Sequence, residues 1–129
     1  MRHLLIVSHA DLADSIKRTS EMIVGKNDLS ITTIMMTPEK SPEAFKNEVN
    51  NIVSKDINGE YLILADLQGA SPCSISCLAC RNIDFRVLTG INLGMLLEVV
   101  LNFNDGDLDE LCDRALVAGR DSIQKIKLN

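Results

Sequence analysis

Leu4-Leu5-Ile6-Val7-Ser8-His9, near the start of the chain, is a short unbroken apolar run closed by two polar residues. A run without polar alternation suits a strand covered on both faces, as in a parallel sheet with helices above and below it. Directly after it, Leu12, Ala13, Ile16, Ser20 and Ile23 recur at helical spacing, and Gly25 supplies a C-terminal cap. The opening unit is strand then helix, and the rest of the chain repeats it.

Leu29 to Met36 reads as a second strand. The loop Thr37-Pro38-Glu39-Lys40-Ser41-Pro42 ends with Ser41 as N-cap and Pro42 at the first helical position, and Phe45, Val49, Ile52 and Val53 mark the buried side of the helix that follows. Asn58-Gly59 is a turn. Tyr61 to Ala65 is a third, strongly apolar strand ending in Asp66. Leu67-Gln68-Gly69-Ala70 then loops into a helix that starts at Ser71-Pro72 and runs to about Cys80. Phe85 to Leu88 is a fourth strand, and Ile91-Asn92-Leu93-Gly94 leads into a helix bearing Met95, Leu96, Val99, Val100 and Phe103. Asn104-Asp105-Gly106-Asp107 breaks the chain before a last helix over Leu108 to Gly119. In the tail, Ile126 and Leu128 alternate with Lys125 and Lys127, a period that suits an edge strand. Repeated strand–helix units with right-handed crossovers predict one α/β domain over 1–129: an open, doubly wound parallel sheet of four strands in the order 2-1-3-4, with helices on both faces.

Composition narrows the function. The 129 residues are 46% apolar and 24% charged, with a formal charge of −5, three Phe, one Tyr and no Trp. An acidic chain with so few aromatics is unsuited to nucleic acid, which asks for a basic surface and stacking platforms. No apolar run approaches the ~18 residues of a membrane span. The N-terminal run is also too short, and lacks the cleavage site, for a signal peptide, so the expectation is a cytoplasmic protein. Cys73, Cys77 and Cys80 fall at helical i, i+4 and i+7 positions, and Cys112 stands apart. That spacing predicts a core face rather than a zinc site, which would draw paired ligands from turns; no metal is expected.

In open sheets of this type, ligands bind beyond the carboxyl ends of the strands, where the strand order reverses. The polar residues after the strands are His9, Thr37, Asp66 and the stretch Thr89 to Asn92. His9 and Asp66 follow the two strands that flank the reversal. A neutral imidazole is a nucleophile near pH 7, and an Asp bonded to one ring nitrogen fixes the tautomer and stabilises the cation formed in attack. His9 by itself reads equally well as a hydrogen-bonded structural histidine. Gly69 and Ala70, with Ser71 as N-cap and Pro72 behind it, add small residues and a helix N-terminus, the combination that receives a phosphate. There is no GxGxxG, GxxxxGK[ST] or GxSxG motif. His3 lies at the opposite end of the first strand and reads as structural. Asp105, Asp107, Asp109 and Glu110 read as a solvated loop and helix start, while Asp11 and Asp14 serve the first turn of the first helix.

These segments resemble the mannose-family enzyme IIA of the bacterial phosphoenolpyruvate-dependent sugar phosphotransferase system. Leu5-Ile6-Val7-Ser8-His9 is similar to its strand ending in the phosphorylated histidine. Asp66-Leu67-Gln68-Gly69-Ala70-Ser71-Pro72 is similar to its Asp-x-x-Gly-small-Ser-Pro segment, and Thr89-Gly90-Ile91-Asn92-Leu93-Gly94-Met95-Leu96 to its Gly-x-Asn-x-Pro-Met-Leu segment. The resemblance implies that His9 accepts a phosphoryl group, Asp66 orients it and Ser71 contacts it, with no cofactor. The donor would be the histidine-containing phosphocarrier protein and the acceptor a IIB component, so contact with the membrane would be indirect. It also implies a homodimer whose C-terminal strand crosses to the partner's sheet. Gly94 stands where the family commonly has Pro, and Gln68 where one branch has Trp; both fall where a IIB component would dock. Two other functions are compatible with the segments: phosphoryl donation to a dihydroxyacetone kinase, and a regulatory binding module without turnover.

Overall fold

The structure is a computed structural model that describes residues 1–129. Its elements are β1 (Arg2–His9), α1 (Leu12–Val24), β2 (Ile31–Met36), α2 (Pro42–Val53), β3 (Glu60–Ala65), α3 (Ser71–Ala79), β4 (Asp84–Thr89), α4 (Leu93–Leu101) and α5 (Leu108–Asp121). All strand pairs are parallel, and the sheet order is β2-β1-β3-β4, as the sequence predicts. Leu4, Leu5, Ile6 and Val7 are fully buried, and so are Leu62, Ile63, Leu64 and Ala65 of β3. Alternate residues of β1 face opposite cores. Leu4 and Ile6 pack with α1, α4 and α5, while Leu5 and Val7 pack with α2 and α3. The unbroken apolar run is thus the sum of two alternating faces, each covered by helices.

Several details depart from the sequence reading: Phe103, expected on the fourth helix, is buried just beyond the end of α4 at Leu101, and two helices differ in detail. On α1, Leu12 and Ile23 are exposed, and the face against the sheet is formed by Ala13, Ile16, Ser20 and Val24. Small Ala13 and Ser20 are the buried residues of this face, and Ser20 Oγ meets its own need by donating to the Lys17 carbonyl at 2.7 Å. On α3 the N-cap is Ala70, in extended conformation and with no side-chain cap, so Ser71 is the first helical residue and Pro72 the second. Pro72 is harmless there, because N–H groups of the first turn have no partner within the helix. The Ser71 hydroxyl is free of a capping role.

The thiols lie where helical spacing puts them. Cys73 and Cys80 are buried and Cys77 half-buried on the α2/α3 side, and Cys112 is buried on the other. Burial pushes the Cys77 thiol up, and the Cys80 and Cys112 thiols up to about 11 each, which leaves them protonated and inert at neutral pH. At the N-terminal end of the sheet His3 is structural, as expected. Its Nδ1 pairs with Ser30 Oγ at 2.6 Å, its Nε2 with Asp56 Oδ2 at 2.7 Å, and its ring stacks on Tyr61 at 4.7 Å.

Asn92 N-caps α4, accepting from the Met95 N–H at 3.0 Å, and its amide donates to the Gly119 carbonyl of α5 at 2.9 Å. This knot draws the end of α5 onto the start of α4. A Cβ at Gly94 would lie 2.7 Å from Ser122 Cβ and 3.2 Å from the Ala118 carbonyl oxygen. Glycine at this position is therefore a packing requirement between helices. Beyond Ser122 the tail forms no helix or strand in the single chain, and Ile123, Ile126 and Leu128 are exposed. Gly94→Ala should lower unfolding stability by on the order of 1 kcal/mol, because overpacking outweighs the better helix propensity of Ala. Urea denaturation of this variant and of its combination with Ser122→Gly checks the contact. An Ala variant as stable as the parent, or no relief from the second change, refutes it.

Candidate functional site

The chain crosses from β1 to β2 on one side and returns to β3 on the other, so the carboxyl ends of β1 and β3 flank the point where strand order reverses. Val7 is level with Ala65 across the β1–β3 pair, which brings His9, two residues on, and Asp66, one residue on, to the same edge. The structure joins them twice. Asp66 Oδ2 accepts the main-chain N–H of His9 at 2.9 Å and lies 2.8 Å from ring Nδ1. A carboxylate can only accept, so Nδ1 carries the proton and Nε2 keeps its lone pair. The His9 side chain is 52% exposed and that of Asp66 only 11%. The carboxylate is sunk beneath the ring, and the free nitrogen faces outward.

Asp66 Oδ1 is the one buried side-chain oxygen or nitrogen without a hydrogen-bond partner. Burial pushes the Asp66 carboxyl up, but the His9 N–H, the His9 ring and the Leu67 N–H together hold it below its ordinary value. It is therefore an anion at neutral pH.

Two residues that the sequence reading did not single out shape the turn. Ala10 has φ +48, the only non-glycine in the left-handed region, and its N–H donates to the Met36 carbonyl at the end of β2 at 2.7 Å. Ser8 is fully buried, and its Oγ accepts the Ala13 N–H of α1. The available signal was faint: a serine closing an apolar run, and a small residue after the histidine. From β3 the chain continues through Gly69, at φ +76, to Ala70 and Ser71 at the start of α3. A Cβ at Gly69 would meet no atom, so only its backbone conformation asks for glycine. Ser71 is exposed at the first helical position, where first-turn N–H groups are free to meet an anion. Asn92 belongs to the α4–α5 knot instead, with both side-chain groups already engaged. None of the three surface cavities is lined by His9 or Asp66; the ring of His9 stands on the exposed surface.

Residues 3–116 match the family EIIA-man, described as "PTS system fructose IIA component". The chain belongs to the mannose family of phosphotransferase-system IIA components. It is 27% identical over 113 residues, 87% of its length and 82% of the relative's, to the sorbose-specific EIIA component of Klebsiella pneumoniae. The mannose/sorbose-specific IIA subunit of Enterococcus faecalis superposes with a TM-score of 0.89 at 28% identity, covering 99% of this chain and 96% of that one. A IIA protein associated with the fucose utilization operon of Streptococcus pneumoniae gives 0.80 at 28% identity, over 96% and 92% of the two chains. As a IIA component the chain is a phosphoryl carrier of a sugar phosphotransferase system, and no helix is long and apolar enough to cross a membrane.

Because the native Asp66 pKa is lowered, its stabilising effect is complete above the unfolded carboxyl pKa of about 4 and fades as pH falls through the lower native value. Wild type should be more stable than Asp66→Asn near neutrality, and the two stability curves should converge in acid. A gap in denaturant midpoint that stays constant down to about pH 2 would mean that the charge on Asp66 contributes nothing.

Proposed function

We propose that His9 Nε2 is the atom that carries the phosphoryl group, taken from the histidine-containing phosphocarrier protein and passed to a IIB component during sugar uptake. The observation that carries this reading is the His9–Asp66 pair: Nδ1 is bonded at 2.8 Å to a sunken carboxylate, and Nε2 is left free on a half-exposed ring. In the uptake step the Nε2 lone pair attacks the phosphorus of the donor's phosphohistidine. The P–N bond to the donor breaks as the P–Nε2 bond forms. The proton on Nδ1 stays in place, so the phosphorylated ring is cationic and the Asp66 anion balances it. Gly69, Ala70 and Ser71 bring the N-terminus of α3 to the phosphoryl oxygens, which its free N–H groups and dipole would stabilise. The second step reverses the first, toward the IIB acceptor.

An open edge suits this exchange, since both donor and acceptor are proteins that must reach the same nitrogen. The similar proteins are named for different sugars, sorbose, mannose/sorbose and fucose, so the carrier chemistry is what extends to this chain. The protein acts in the cytoplasm, in contact with the membrane only through its partners, and needs no metal or cofactor. It assembles as a homodimer tied by the tail: Lys125 and Lys127 alternate with exposed Ile126 and Leu128, and β4 is hydrogen-bonded only to β3, leaving an open edge.

Incubation with phosphoenolpyruvate, enzyme I and the phosphocarrier should load one acid-labile phosphoryl group, absent in His9→Ala. Asp66→Asn should fold but take up the group at least about tenfold more slowly. A His9→Ala protein that still takes up one equivalent defeats the assignment, and an unchanged rate in Asp66→Asn removes Asp66 from it. For assembly, truncation after Gly119 should yield a monomer by sedimentation that can still be phosphorylated on His9. A truncated chain that stays dimeric with unchanged association strength rules out the tail as the tie.

A further inference from the structure

We propose that Ser8 is a positioning residue for the transfer, acting through the turn that presents His9; this rests on the reading of His9 as the phosphorylated residue. Three polar side chains are buried, those of Ser8, Ser20 and Ser76. Ser20 and Ser76 bond back to carbonyls of their own helices, Lys17 and Pro72. Ser8 joins two elements. Its Oγ accepts the Ala13 N–H of α1 at 2.8 Å and donates to the Ala10 carbonyl at 3.2 Å. Asp11, the N-cap of α1, makes no side-chain cap bond, so the strand serine supplies the cap from inside the fold.

The consequence for His9 is geometric. Ala10 sits at φ +48, a region that residues with a Cβ avoid, and it is held there by its own N–H on Met36 and by its carbonyl on Ser8. His9 is pinned from β2 through Ala10, from β3 through Asp66 and from α1 through Ser8. With half of the ring in solvent, packing does little to fix it, and its direction depends on the backbone beneath. Without the Ser8 hydroxyl, Ala10 can relax toward negative φ. That turns the His9–Ala10 peptide, shifts the ring relative to Asp66 Oδ2 and lets the other tautomer form. The other tautomer carries its proton on Nε2 and has no lone pair to give there.

The test uses the full chain with Ser8→Ala, the near-isosteric Ser8→Cys, and Ser8→Ala combined with Ala10→Gly. Two quantities are read: single-turnover uptake over a range of phosphorylated phosphocarrier concentrations, and the His9 tautomer by nitrogen-15 NMR with no donor present. Ser8→Ala should lower the saturating rate about 10- to 100-fold, with half-saturation moved less than about twofold. Its His9 ring should change from one Nδ1–H tautomer to a mixture. Adding Ala10→Gly should restore part of the rate, because glycine accepts φ +48 without strain. Ser8→Cys, which keeps the volume but hydrogen-bonds weakly, should show the same direction of change if Ser8→Ala does not fold. A saturating rate within about twofold of wild type and an unchanged tautomer in the folded variants would overturn the proposal, even if stability fell. Uptake that persists in His9→Ala would instead overturn the reading of His9, and the donor-free NMR signal keeps the two failures distinct.

Discussion

Everything in this chain hangs on β1 having no face toward water. Leu4, Leu5, Ile6 and Val7 can be buried completely only if strands flank β1 on both edges and helices cover it on both faces. The chain meets that demand by laying β2 on one edge and β3 on the other, and each crossover places its helix on one of the two faces. The reversal of strand order that follows is unavoidable, and it sets the carboxyl ends of β1 and β3 side by side. Leu62 to Ala65 of β3 repeat the same burial and bring Asp66 to the edge beside His9. The apolar demand of the core and the location of the polar pair are one constraint seen from two ends.

At that edge a single carboxylate oxygen serves two donors of the same residue, the main-chain N–H and the ring of His9. Bonding both fixes the ring relative to its own backbone, which a bond to the ring alone would not do. The other oxygen is buried and has no side-chain or main-chain partner within hydrogen-bond distance. On the proposed function the exposed nitrogen of His9 is served by two proteins in turn, and an atom used in that way cannot be enclosed. An exposed ring over a buried anion, outside every cavity of the surface, meets that limit.

The helices after β4 are held differently. Asn92 ties the start of α4 to the end of α5, and Gly94 makes room for Ser122 at the same place. Gly94, which differs from the residue common in the resembling family, is thus engaged within its own fold. The knot also sets the direction in which the tail leaves, with Ile123, Ile126 and Leu128 exposed beyond it. In the proposed dimer these side chains are what the partner chain would cover.

The sequence by itself determined the strand order and which polar residues stand at the strand ends. Continuous apolar runs and turn residues are local signals, and right-handed crossovers leave few topologies once they are read. The pairing of His9 with Asp66 was legible for the same reason, because it follows from strand order alone. The thiols of α3 were legible from helical spacing. Tertiary structure decided the rest. Leu12 and Ile23 share a helical stripe with Ala13 and Ser20, yet the sheet selected the small residues, since closeness of approach is settled by what lies opposite. Ser71 has the chemistry of an N-cap, but the loop through Gly69 starts the helix one residue earlier and leaves its hydroxyl free. Ser8 and Ala10 carry no motif. Their parts in the turn depend on the Ala13 N–H and the Met36 carbonyl, groups that only the folded chain brings within reach.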